Sequence, residues 1–291
     1  MKISRYLASG LALTLLTSIL FLNSGCTVVN TLRGKDMLNQ GILKYNQGNT
    51  VAAAELFEKA SALIPTNPNV WLCLGAVKYK GINNAPTGKA DEVAKEALNC
   101  YTKALENASP TDCKIRDTAI GYIAAIYGDR LSEGDKVAHE TAQREWLLKR
   151  TEGECATPDI KAQTYYSIGV KHWQNAFGIS NAYADKQKND SDPFHCRVIN
   201  NPVDKAKFDN AVNQAFEYLN KSIASKPDYS EAHSYLSLMY REKQKTSCSD
   251  AKKFEADAQK EAKIAIELAA KAKAEAEAKA AEEAAKGETK K

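Results

Sequence analysis

The stretch MLNQGILKYNQGNTVAAAELFEKASALIP, residues 37–65, holds two helical patterns joined by a turn. The first runs from Met37 through Gly41 to Tyr45, and NQGN at 46–49 breaks it, because Gly and Asn favour a turn over continued helix. The second places Ala53, Leu56, Phe57 and Ala60 on one face and stops at Pro65. Joined by so short a break, the two helices fold back as an antiparallel hairpin. Gly41 on one helix and Ala53 on the other let the backbones approach closely, and Phe57 fills the space beyond them.

The same marks recur along the chain. Trp71, Leu74 and Gly75 restart them, and the second half follows as Ala97, Tyr101 and Ala104, closing at Pro110. Gly75 and Ala97 stand ten residues further apart than Gly41 and Ala53, so GINNAPTGK, 81–89, loops out at this hairpin's tip. Residues 113–150 carry helical spacing at Ile120, Ile123, Ala124 and Tyr127, then at Ala138, Ala142 and Trp146, which reads as a diverged third hairpin. Tyr165, Ile168 and Gly169 restart the marks in YYSIGVKHWQ, and Ala215, Leu219, Ser222 and Pro227 complete them. The interval between these halves is long. Residues 175–208, Asn- and Asp-rich and containing NDSDPFHC, read as a surface excursion inserted there. PDYSEAHSYLSLMYREK, 227–243, opens a last unit with Ser237 at the small position and Tyr240 behind it, and its second helix starts near Ala251.

In this order the marks resemble the tetratricopeptide repeat, W-x2-L-G-x2-Y, then A-x3-F, then P. Over about residues 34–268 the chain is similar to bacterial exported tetratricopeptide-repeat proteins. The resemblance implies an all-α superhelix of antiparallel helical hairpins, with a long insertion at about 175–208 and a long C-terminal helix. It also implies a concave surface that binds a protein or peptide partner. On the family's pattern that groove takes Leu38, Ile42 and Tyr45, then Leu72, Ala76 and Tyr79, then Tyr166, Val170 and Trp173, with Arg241 and Glu242 at the far end. A stripe so apolar and aromatic suits an extended or helical peptide. In three units the aromatic follows the glycine by four residues instead of three, at Tyr45, Tyr79 and Trp173, a shift of about 100° around the helix. The shift turns those rings toward the groove; the alternative is that they pack between repeats.

From Lys252 to Lys286 the sequence narrows to Ala, Lys and Glu with scattered Ile and Leu, a strong helix-forming composition. Phe254, Ala258, Ala262, Ala265, Ile266 and Leu268 are expected to pack on the last repeat. Residues 269–291, with only alanine to bury, are expected as a solvated tail, helical or disordered. A seam of alanine alone argues against a coiled-coil arm.

At the other end Lys2 and Arg5 precede an apolar run from Leu7 to Leu22 and the small residues Ser24 and Gly25, the layout of a signal peptide over 1–25. The run is too short for a comfortable membrane span. It leads into what looks like a bacterial lipoprotein processing site, with Asn23 where an aliphatic residue is usual. The resemblance implies a lipid on Cys26, residues 26–33 as an anchor linker, and, because Thr27 is not acidic, delivery to the outer membrane of the cell envelope.

With Cys26 set aside, Cys73, Cys100, Cys113, Cys155, Cys196 and Cys248 are an even set in a chain bound for an oxidising space. Placed on the family's hairpins they pair as 73–100, 113–155 and 196–248, with reduced core thiols as the alternative. None is spaced C-x-x-C, and neither cysteine metal binding nor haem attachment is expected. Forty Lys and Arg against 36 Asp and Glu leave no basic excess pointing to nucleic acid. The histidines, His139, His172, His195 and His233, stand in no H-E-x-x-H, and no G-x-S-x-G or phosphate-cradling glycine loop occurs. No catalytic residue, metal or cofactor is expected. The rival reading is a metal-binding protein or enzyme centred on the 175–208 insertion, where His195 and Cys196 follow Asp190 and Asp192; another is a structural envelope protein with no specific client.

Overall fold

The computed structural model describes residues 27–183 and 197–288, and among these the regular structure is helical throughout. Two compact units divide after Lys149. The first contains α1 (27–46), α2 (Thr50–Leu63), α3 (Pro68–Gly81), α4 (Ala90–Asn107), α5 (Cys113–Asp129) and α6 (Lys136–Lys149). The second contains α7 (Pro158–Asn181), α8 (Pro202–Ser225), α9 (Ser230–Thr246) and α10 (Ala251–Glu288). Consecutive helices pair as hairpins, α3 with α4, α5 with α6, α7 with α8 and α9 with α10.

Helix starts follow local chemistry. Asn49, Asn67, Thr157 and Asn201 each accept a backbone N–H of the first turn, and at the last three a proline occupies the first helical position, where no N–H is needed. Gly48, at φ +81°, makes the turn between α1 and α2. Close approach is built on glycine in three hairpins. A Cβ added at Gly41 would lie 2.4 Å from the Phe57 ring, at Gly75 2.9 Å from Tyr101, and at Gly169 2.8 Å from Leu219. These are the pairs that the repeat marks identify.

In the first unit one core gathers Leu38, Phe57, Val70, Leu74 and Cys100, and a second gathers Ile82, Tyr101, Ile123 and Ile126. Lys78 on α3 reaches Glu58 on α2 at 3.4 Å and Glu96 on α4 at 2.9 Å. The loop expected over 81–89 is shorter than its sequence: Ile82 starts a single 3-10 turn and is buried, and α4 begins at Ala90. The third hairpin is present but loosely packed. Helix α5 buries Ile120, Ile123, Ala124 and Ile126, whereas α6 buries no residue and leans on the half-buried Trp146.

Asp91 pins the α5–α6 connection. Its carboxylate accepts from the Ser132 hydroxyl at 2.6 Å and from the backbone N–H groups of Ser132 and Glu133. The Ser132 hydroxyl foremost, then those N–H groups, hold the carboxyl below its ordinary pKa against the opposing effect of burial. The charged form is the one being held. Its stabilisation is therefore present above the unfolded value of about 3.9 and is lost as pH falls through the lower folded value. Asp91→Asn is expected to lower unfolding free energy by about 1 kcal/mol at pH 7. In urea titrations the gap from wild type should narrow as pH falls below the unfolded value of about 3.9.

In the second unit α7 and α8 have 24 residues each, against 14 in α2 and α3. This corrects the reading of 175–208 as an excursion without apolar order. Residues 175–181 are the last turns of α7 and 202–208 the first turns of α8, and Ala176, Tyr183, Ile199 and Phe208 join one core with Leu219 and Met239. Asn175, Asn181, Asn200 and Asn201 are exposed beside these buried positions, and so mask the helical period. His195, Cys196, Asp190 and Asp192 lie outside the described residues.

Helix α10 packs on α9 through Ala251, Ala258 and Ala265, a seven-residue spacing, and Glu261 Oε2 meets His233 Nδ1 at 2.7 Å. Ile266, expected in this seam, is instead 70% exposed, because it follows Ala265 around to the outer side. From Ala269 onward every described side chain is exposed.

The cysteines separate into two groups. Cys113 and Cys155 are both disulfide-bonded, as the 113–155 pairing requires, and Cys248 is disulfide-bonded as well. Its expected mate Cys196 lies outside the described residues. The expected 73–100 bridge is not formed: both are free thiols, Cys100 buried and Cys73 half-buried. On α3 the side that meets α4 is marked by Gly75, and Cys73 stands two residues, about 200°, away from it. Burial pushes both thiols up to about 11. Iodoacetamide at pH 8 should therefore leave Cys73 and Cys100 unmodified in the folded protein and label both in urea, read by peptide mass spectrometry.

Candidate functional site

In the first unit, Leu38 is not a groove residue. It is 7% exposed and packs in the core with Phe57, because it shares a helix face with Gly34 and Gly41. Ile42, Tyr45, Leu72, Ala76 and Tyr79 remain at least partly exposed. Lys80 Nζ sits 5.5 Å from the Tyr45 ring centre, and Tyr79 meets Tyr122 of α5 edge-on at 4.9 Å. The Tyr79 hydroxyl accepts from Arg130 Nε at 3.2 Å. These two rings are thus half committed to packing and half open.

The second unit presents a longer apolar arrangement. From α7, Tyr166 meets Tyr229 and Tyr235 edge-on at 5.5 and 5.4 Å. Trp173 meets the other side of this group, edge-on to Tyr235 at 5.2 Å and stacked on Phe177 at 5.4 Å. The rings Tyr229, Tyr166, Tyr235, Trp173 and Phe177 form one connected series, with Val170 half-buried on the same helix face. Burial pushes the Tyr166 hydroxyl up to about 12. Phe177 is 39% exposed, and the Trp173 indole N–H is buried with no acceptor among the described residues. A buried donor left unpaired is costly.

Beyond Phe177 the character changes from apolar to charged. Lys245 Nζ lies 5.9 Å from the Phe177 ring and 2.8 Å from Glu242 Oε1. The Ser180 hydroxyl donates to Glu242 Oε2 at 2.5 Å, and the backbone N–H of Arg197 donates to the Lys245 carbonyl. Glu242 is therefore not at a groove rim. It is 2% exposed and holds α7 to α9, whereas its neighbour Arg241 is exposed. Cys26 lies outside the described residues.

Three contributors escaped the sequence reading. Phe177 falls four residues after Trp173, on the same helix face, but lay within the segment read as an insertion. Tyr229 and Tyr235 belong to the next hairpin and reach α7 only through tertiary packing. Among the described residues, no group of three or more His, Cys, Asp or Glu side chains is placed to hold a metal ion, and no helix is long and apolar enough to cross a membrane.

The arrangement is one of helical hairpins in which first helices also meet within each compact unit, α3 with α5 and α7 with α9. No protein-family model and no curated protein matches the chain. Among solved structures, two crystal structures of MamA are similar to it. One has 17% identity and a TM-score of 0.44, covering 79% of this chain and 95% of that chain. The other has 16% identity and a TM-score of 0.44, covering 84% of this chain and 92% of that chain.

Proposed function

We propose that the protein is a lipid-anchored scaffold of the bacterial cell envelope, held at the outer membrane through Cys26, that binds a protein or peptide segment on the aromatic face of α7. The observation that carries the binding role is the ring series that ends at the exposed Phe177. An apolar or aromatic side chain of the ligand lies over Phe177 and Val170. Anchors of this kind dominate protein interfaces. Tyr45 and Tyr79 offer a second, smaller face in the first unit. The work done is recognition, with no bond made or broken.

The sequence supports the anchored location: a positive start, an apolar run and a cysteine directly after Ser24 and Gly25. The test is crosslinking and capture of the full protein from its native envelope, wild type against Trp173→Ala. Loss of one specific partner supports the reading, and identical partner sets refute it.

A further inference from the structure

We infer that the first two turns of α1 are a bilayer-contacting surface, so that the protein is seated on the membrane by a helix face as well as tethered to it. Val28, Val29 and Leu32 are 60%, 45% and 64% exposed. At about 100° per residue they fall within one arc of about 100°. Gly34, Leu38 and Gly41, which meet the rest of the hairpin, lie on the opposite side of the helix. The three apolar side chains therefore point away from the protein's own core. Arg33 and Lys35, both exposed, flank the patch on its two sides. Long basic side chains at the edges of an apolar helix face lay their stems on that face and place their charges at the level of anionic headgroups.

The extent of the patch is also defined. Asp36 and Asn39 continue the same face, and Asp36 bonds Gln40 at 2.8 Å, so apolar exposure stops one turn beyond Leu32. A carboxylate is repelled by an anionic surface. Only the start of α1 dips into the interface, and Leu43, again exposed, lies about 16 Å further along the axis.

Three observations choose a bilayer over a second copy of this chain. Val28 stands two residues after Cys26, so a lipid there leaves no spacer between membrane and patch. The flanking charges are both positive, which suits anionic lipid and repels an identical patch. Three side chains also cover far less than the roughly 1,200 Å² that a stable protein interface buries. The inference rests on the anchored reading for its location.

The test uses the full chain purified from its envelope and reconstituted in vesicles of phosphatidylethanolamine and phosphatidylglycerol. A photoreactive benzoylphenylalanine is placed at Leu32 in one sample and at Asn39 in another. Lipid adducts at Leu32 about tenfold above those at Asn39 are expected, falling in a Val28→Ser/Val29→Ser background whose circular dichroism is unchanged. Equal low yields at both sites overturn the inference, as does an adduct joining Leu32 to a second copy. The mass of the N-terminal peptide separates this result from the anchor. An unacylated Cys26 with a lipid adduct at Leu32 removes the anchor and keeps the surface; an acylated Cys26 without the adduct does the reverse.

Discussion

Tyr101→Ala is expected to lower the unfolding free energy of the first unit by about 3–5 kcal/mol, the largest loss among single truncations there. The ring is 0% exposed, lies stacked on Tyr122 at 5.0 Å, and fills the space that Gly75 opens on α3. Removing it leaves a cavity at the junction of α3, α4 and α5. Urea titration followed by helical circular dichroism measures the loss, with an unchanged slope marking a change in stability alone. Tyr101→Phe is the sharper companion. The hydroxyl is buried without a hydrogen-bond partner among the described residues, so deleting it is expected to be neutral or stabilising. If the phenylalanine variant falls as far as the alanine variant, the packing account of this position is wrong.

The second large effect concerns binding. Trp173→Ala is expected to weaken capture of the partner by about 30-fold or more, as loss of a central aromatic anchor does. The indole also packs on Tyr235, so that variant loses some stability, and capture must be scored at equal helicity. Trp173→Phe keeps a ring against Tyr235 but removes the N–H together with the rest of the larger indole. It is expected to weaken capture less than Trp173→Ala, because a ring is retained in the series. Capture as weak with Trp173→Phe as with Trp173→Ala would show that the partner requires the whole indole and not a ring alone.

Much of the architecture was legible because it rests on spacing. Gly41 with Phe57, and Gly75 with Tyr101, announce close helix approach through a small residue on one side and a ring on the other, and both pairs meet as read. What failed to show was whatever depends on a distant element. Glu242 looks like a solvated charge, and only Ser180 and Lys245 make it a buried brace. Cys73 and Cys100 sit on neighbouring helices, a fact readable in sequence, but the rotation that keeps them free follows from where Gly75 meets Tyr101. The aromatic site was half legible. Tyr166 and Trp173 follow from the repeat marks, whereas Phe177 was obscured by the polar outer face of a helix that runs to Asn181.

Helix α10 has a consequence in terms of reach. Its 38 residues span about 57 Å, and the alanine seam that holds it to α9 ends at Ala265. About 30 Å of helix therefore stands clear of the second unit, stiffened by ion pairs four residues apart such as Lys273 with Glu277. Such a rod is a spacer of set length. Whatever docks near its end is held at that distance from the second unit, a ruler whose length changes in steps of about 1.5 Å with each residue added or removed.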